Sequence, residues 1–387
     1  MVCEFVSDKS LCCGCSACYD VCPKSAIKMV EDNEGFSYPV IDKDKCIECG
    51  LCEKICPTKN RRDSQSLLEA YAAYNTDENI RMKSSSGGVF TLLAEAVLNN
   101  KGVVYGAAFD ENFEVQHTRV DSIDELEGLR GSKYVQSKLD GIYDLCKKDL
   151  DTEKQVLFTG TPCQIAALKS FLRKDYDNLI CMDIICHGVP SRMVWRKYLE
   201  HRINFAKSKI VQIAFRMKDE GWKQYAVKFT FANSTAYCKN YQDDIFMKGF
   251  LRDLYLRPSC YDCQFKTKER VSDITVADFW GIDKLHPEWD DDKGMTLLIV
   301  HSQAGKKVLE KVKTYLFLEC VNIDEAIKFN PSMVKSVAMN KNRELFFKGI
   351  DSQCNIEKFI NSYVDNCYSV RKRISIWLRT FIKQHLK

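Results

Sequence analysis

Cys12-x2-Cys15-x2-Cys18-x3-Cys22-Pro23 and Cys46-x2-Cys49-x2-Cys52-x3-Cys56-Pro57 are one cysteine pattern written twice. Three closely spaced thiolates wrap one 4Fe-4S cubane, and the fourth, set off by three residues and followed by proline, reaches the other. The spacing therefore assigns Cys12, Cys15, Cys18 and Cys56 to one cluster, and Cys46, Cys49, Cys52 and Cys22 to a second. Zinc modules use well-separated cysteine pairs, and a disulfide framework needs a secretory route. Neither fits quartets that end in Cys-Pro. Between the quartets, Ala26 to Ile41 holds two β-prone runs around an acidic turn ending in Gly35, the hairpin expected of a compact two-cluster ferredoxin over 1–60.

In a chain of 387 residues that ferredoxin is only the front end. A polar, aperiodic run from Lys59 to Ser66 marks a linker, placed at 61–68. Hydrophobic residues at 45% and charged residues at 28% describe a folded core and exclude a disordered or membrane-spanning chain. The net charge of +4 is nearly balanced and no basic-aromatic patch recurs, so nucleic acid is not an expected partner. The first residues lack the features of a signal peptide, and no apolar run reaches bilayer length, which predicts a cytoplasmic protein. Twenty cysteines there fit metal clusters better than disulfides, and the two quartets use only eight of them.

From Glu69 onward the pattern changes. The runs VVYGAAF (103–109), VLFTG (156–160) and LICMDII (179–185) alternate with helical patterns near 137–150, 162–173 and 190–205. Such alternation predicts an α/β layer with a largely parallel sheet. Three consecutive β-prone runs, KIVQIAFRM, QYAVKFTF and STAYCKNY, predict an antiparallel subdomain. The expected class is a ferredoxin fold followed by a mixed-sheet α/β domain, more α+β than doubly wound, with parts 69–150 and 151–340 and a helical tail over 341–387. In the tail, Ile374, Trp377, Leu378, Phe381 and Ile382 form one apolar stripe among basic residues. It suits peripheral contact with the inner face of a membrane, or packing on a protein surface.

Chemistry-bearing residues gather at loops. Ser84-Ser85-Ser86-Gly87-Gly88-Val89 opens a helical segment and suits either an ordinary cap or a pyrophosphate site. Neither a G-x-G-x-x-G fingerprint nor a P-loop is present. Arg130-Gly131-Ser132-Lys133 is a polar loop, or a phosphate clamp that sets Lys133 beside a flavin. Cys163 (after Thr161) and Cys186 follow strand ends, and Cys260 and Cys263 form a C-x2-C pair. Four thiols are the complement of a third 4Fe-4S cluster; buried core cysteines are the alternative. His187, beside Cys186, is a candidate proton donor or a structural hydrogen-bonding group. Trp280 closes SDITVADFWG, where aromatics flank a flavin, shield a cluster or fill the core. Cys13 reads as a bystander thiol.

Taken together, SSGGVF (85–90), VVYGAAF, RGSKYVQS, TGTPCQ (159–164), CHGVPS (186–191), FRMK with GW (215–218, 221 and 222), RPSCYDCQFK (257–266) and SDITVADFWG resemble the coenzyme F-420 hydrogenase and dehydrogenase β-subunit family, here with a ferredoxin fused in front. The resemblance implies an iron–sulfur flavoprotein oxidoreductase holding noncovalent FAD near a 4Fe-4S cluster. It implies FAD contacts at Ser85, Ser86, Gly87, Gly88, Val89, Arg130, Ser132, Lys133, Thr161 and Trp280, with His187 and Lys133 as catalytic candidates. Expected partners are a redox protein, either a ferredoxin or another oxidoreductase, and an unidentified organic acceptor. Ferredoxin-fused relatives resemble proteins of surface-polysaccharide assembly. A non-catalytic electron-transfer subunit is the rival reading.

Overall fold

The computed structural model describes residues 8–350 and 355–364. In the ferredoxin domain β1 (Ile27–Glu31) pairs antiparallel with β2 (Ser37–Ile41). Asp32 shapes the turn, its carboxylate accepting the N–H groups of Glu34 and Phe36, each at 3.0 Å. Gly35 follows at φ +82°, and a β-carbon there would lie 2.5 Å from Met193. The glycine serves both the left-handed turn and the close approach of the helix Arg192–Ala206.

The second domain contributes β3 (Glu69–Asn75), β4 (Val103–Phe109), β5 (Val115–Val120), β6 (Val156–Gly160) and β7 (Leu179–Ile184). Next come β8 (Ile210–Met217), β9 (Ala226–Phe231) and β10 (Ala236–Asn240), then β11 (Ile274–Asp278), β12 (Thr296–Val300) and β13 (Leu316–Cys320). The main sheet has eight strands in the order β13-β3-β12-β11-β7-β6-β4-β5, and β10-β9-β8 form the expected separate antiparallel sheet. Only the centre of the main sheet, β4, β6, β7 and β11, is parallel. Its flanks are antiparallel, so the sheet is mixed where the alternation of runs suggested a largely parallel one. The reason is local at β5: the short turn 110–114 after β4 has no room for the crossover that parallel pairing requires.

The ferredoxin domain is packed into the rest of the chain. Phe36 and Tyr38 join an aromatic core with Trp195, Tyr198, Phe215 and Phe246, while Cys15, Ala17 and Ile55 join another with Tyr105 and Phe158. Burying Phe36 alone stabilises the contact by about 1.5–3 kcal/mol. In the 61–68 segment, Gln65 exchanges backbone hydrogen bonds with Arg270, at 2.7 and 3.2 Å. Among the described residues no helix is long and apolar enough to cross a membrane. The striped tail around Trp377 lies outside the described residues.

Candidate metal centres

Cys22, Cys46, Cys49 and Cys52 line one cavity of about 450 Å³, counted out to solvent, together with Ile27, Ile41 and Leu51. This is the second quartet in the pairing that the spacing predicts. Left-handed turns at Glu48 (φ +55°) and Gly50 (φ +71°) wrap the chain around it. Cys49 is exposed, so this set faces outward.

Cys12, Cys15, Cys18 and Cys56 form the inner set, and Cys15 is buried. Burial pushes the Cys18 thiol far above its ordinary range, and the neighbouring Cys12, Cys56 and Cys52 push it the same way. Crowded thiols resist ionisation in the absence of a cation, and metal binding removes that penalty.

The third set is assembled from distant segments. Cys163 lies in the first turn of the helix Pro162–Leu172, which Thr161 and Gln164 cap reciprocally. Cys186 follows β7, and Cys260 closes the short turn Pro258–Cys260 just before Cys263. All four line one cavity of about 710 Å³, counted out to solvent. Burial raises the Cys186 thiol first, and Cys260, Cys163 and Cys263 add to the rise. The ferredoxin domain supplies part of the wall through Leu11, Cys13 and Thr58. Cys13 stands in this wall with Cys163, two positions before Cys15 of the inner set. Among the described residues no three or more His, Cys, Asp or Glu side chains converge as ligands of a single metal ion. Four thiols around one cavity match the ligand count of a cubane.

The candidate flavin residues divide between two places. Thr161 belongs to the cysteine cavity, its Oγ1 lying 3.1 Å from the Cys163 Sγ. The others surround the loop before the helix Val89–Leu98, whose start is capped by Gly88 at φ +84°. There Ser85 Oγ accepts the Ser132 N–H at 2.6 Å, the Gly87 N–H goes to Thr296 Oγ1 at 3.0 Å, and Ser86 Oγ donates to the Met295 carbonyl. Arg130 pairs with Glu127 and donates to Thr91. Lys133 donates to the carbonyls of Leu129, Arg130 and Gly131, and the packing around its ammonium lowers its pKa to about 7. Trp280 stacks on Trp222 at 4.8 Å. In this structure these groups are engaged with the protein itself. His187 bonds Asp253 at 2.7 Å and packs on Phe250; it does not meet Lys133.

Three buried groups carry weight beyond the site residues expected from the sequence. Arg216 forms a two-pronged pair with Asp278, both contacts 2.9 Å, and also holds the Ser85 carbonyl. Lys218 is held by the carbonyls of Arg81, Ser86 and Lys293, and burial brings its pKa to about 7. Arg257, fully buried, spans from the Cys260 turn to Cys12. Arg216 and Lys218 lie in FRMK and Arg257 opens RPSCYDCQFK, segments that carry the resemblance, but neither segment by itself gives these side chains a role.

Residues 153–326 match the family model for the C-terminal part of the coenzyme F420 hydrogenase/dehydrogenase beta subunit, and residues 70–142 match the model for its N-terminal part. Residues 11–60 match a 4Fe-4S dicluster domain. A chain of the F420-reducing NiFe hydrogenase complex from Methanosarcina barkeri is similar in structure, at 14% identity and a TM-score of 0.49, over 76% of this chain and 95% of that one. No curated protein matches the chain. With both segments of one family present in order behind a dicluster domain, the chain belongs to the coenzyme F420 hydrogenase/dehydrogenase beta-subunit family.

Proposed function

We propose that this chain relays electrons within an iron–sulfur oxidoreductase, between a partner protein at the outer ferredoxin cluster and an acceptor beyond the third cysteine set. The observation that carries this reading is Cys13, which lines the cavity of the third set together with Cys163 and stands in the chain between Cys12 and Cys15 of the inner set. It orders the three sets as outer, inner and third. A 4Fe-4S cluster, when bound, stores one electron. The protein's part is to hold the thiols of each set, bury Cys15, keep Cys163 and Cys186 partly shielded from bulk water, and leave Cys49 at the surface for a redox partner. Electrons can run either way along this order.

FAD and an organic acceptor, to be sought among sugar-linked compounds of surface-polysaccharide assembly, extend the reading and rest on the resemblance. The relay is favoured over an independent enzyme because His187 and Lys133 are each bound by neighbouring protein groups. The test is to purify the full chain anaerobically, measure bound flavin, and supply reduced ferredoxin with a panel of such acceptors. A relay gives reduction of the chain without turnover until a partner enzyme is added. Turnover by the chain alone contradicts the relay and supports an enzyme; failure of reduced ferredoxin to reduce the chain contradicts both.

A further inference from the structure

Arg257 is fully buried. Its Nε donates to the Cys12 carbonyl at 2.7 Å, one terminal nitrogen to Gln136 Oε1 at 3.2 Å, and the other to the Ser37 carbonyl at 3.0 Å and the Cys12 Sγ at 3.7 Å. The guanidinium also lies over the Tyr38 ring, 4.4 Å from its centre. Among the described residues none of these partners is a carboxylate. A buried cation without a counter-charge costs several kcal/mol, so its counter-charge is sought among its other neighbours. Those neighbours are the thiols Cys12, Cys13 and Cys260. Gly14 makes the approach possible, since a β-carbon there would lie 2.6 Å from the guanidinium.

We infer that Arg257 raises the reduction potential of the inner ferredoxin cluster, held by Cys12, Cys15, Cys18 and Cys56, above that of the outer one, so that an electron entering near Cys49 settles inward. This rests on the three-cluster reading above. Adding an electron adds one negative charge, and a nearby cation that donates to a ligating sulfur stabilises that reduced state. The outer cavity contains Lys24, but Lys24 is exposed, where solvent and salt screen it. The exchange is one electron lost by the outer cluster and one gained by the inner, with no bond made or broken and no proton required.

The experiment is a redox titration of the anaerobically reconstituted full chain, followed by electron paramagnetic resonance, with iron counted in the same samples. Cys18→Ser identifies the inner-cluster wave. Arg257→Gln is expected to move that wave negative by at least the tenfold change in electron partition between the two ferredoxin clusters, about 59 mV for one electron, with the other waves held. Arg257→Lys keeps the charge and is expected to recover most of the shift. Gln136→Glu leaves Arg257 in place but gives it a carboxylate, and is expected to move the same wave negative. It provides the test if Arg257→Gln does not fold. Three waves with full iron but no shift in these variants overturn the role of Arg257. Fewer than three waves in the unaltered chain overturn the three-cluster reading instead.

Discussion

Asp20 of the ferredoxin domain accepts the N–H groups of Gly141 at 2.7 Å and Tyr143 at 3.0 Å, and so caps the start of the helix Ile142–Asp151 in the other domain. The two domains thus complete one another's hydrogen bonding. Asp20→Ala leaves two helix-start N–H groups without this acceptor and is expected to cost about 1–2 kcal/mol. Thermal unfolding of the full chain checks this, with limited proteolysis in the 61–68 segment as a second readout of domain release.

Glu34 and Arg343 make a second clasp. Arg343 donates to one carboxylate oxygen at 3.0 Å and to the other at 2.5 Å, while its Nε holds the Leu256 carbonyl. Removing one partner strands a largely buried charge, so Glu34→Ala is expected to destabilise by about 2–3 kcal/mol, reduced from the fully buried case because Glu34 is partly exposed. Glu34→Leu with Arg343→Met is expected to recover part of the loss. A double-mutant cycle in denaturant measures both, and an additive cycle contradicts the coupling.

Gly87 and Gly88 are fixed by packing and by backbone geometry respectively. A β-carbon on Gly87 would lie 2.4 Å from the Ala73 carbonyl and 2.8 Å from Thr296 Oγ1. Gly87→Ala is expected to cost about 1–3 kcal/mol through forced backbone movement. Gly88→Ala is expected to cost about 1–2 kcal/mol, chiefly from its positive φ. Melting temperatures rank the pair, and stability unchanged in both variants contradicts the assignment.

His117 links stability to pH. It is buried between Ser137 and the Thr159 carbonyl, and burial lowers its pKa from 6.5 to about 4. The unfolded chain therefore takes up a proton that the folded chain refuses. Its contribution is fully present above about pH 6.5 and is lost as pH falls toward about 4, by about 3 kcal/mol at most. His117→Gln is expected to flatten that share of the acid slope between pH 7.5 and 5. Parallel slopes for the two proteins in chemical denaturation contradict it.

Much of this architecture is legible in the sequence because its signals are local. The Cys-x2-Cys-x2-Cys-x3-Cys-Pro quartets specify their own pairing, and the runs at Val103 and Val156 become β4 and β6 with the same limits. Pro162 and Gln164 announce a helix start that forms as read. What stays hidden is which distant pieces meet. Nothing local states that Ala73 of β3 pairs with Thr296 of β12. Arg257 and Cys12 are 245 positions apart, and Cys13 looks idle until the fold sets it in the cavity that Cys163 also lines. The Ser85–Val89 loop was legible as a helix start; that its glycines answer to Ala73 and to a left-handed turn emerges only from the packing.

The relay depends above all on Cys163, Cys186, Cys260 and Cys263 holding a cluster in line with the two of the ferredoxin domain. Iron counting decides this, on the full chain reconstituted anaerobically beside Cys163→Ser and Cys263→Ser variants. About twelve irons per chain are expected, falling to about eight in each variant. Eight irons in the unaltered chain, with no loss in the variants, would contradict a third cluster and the relay built on it.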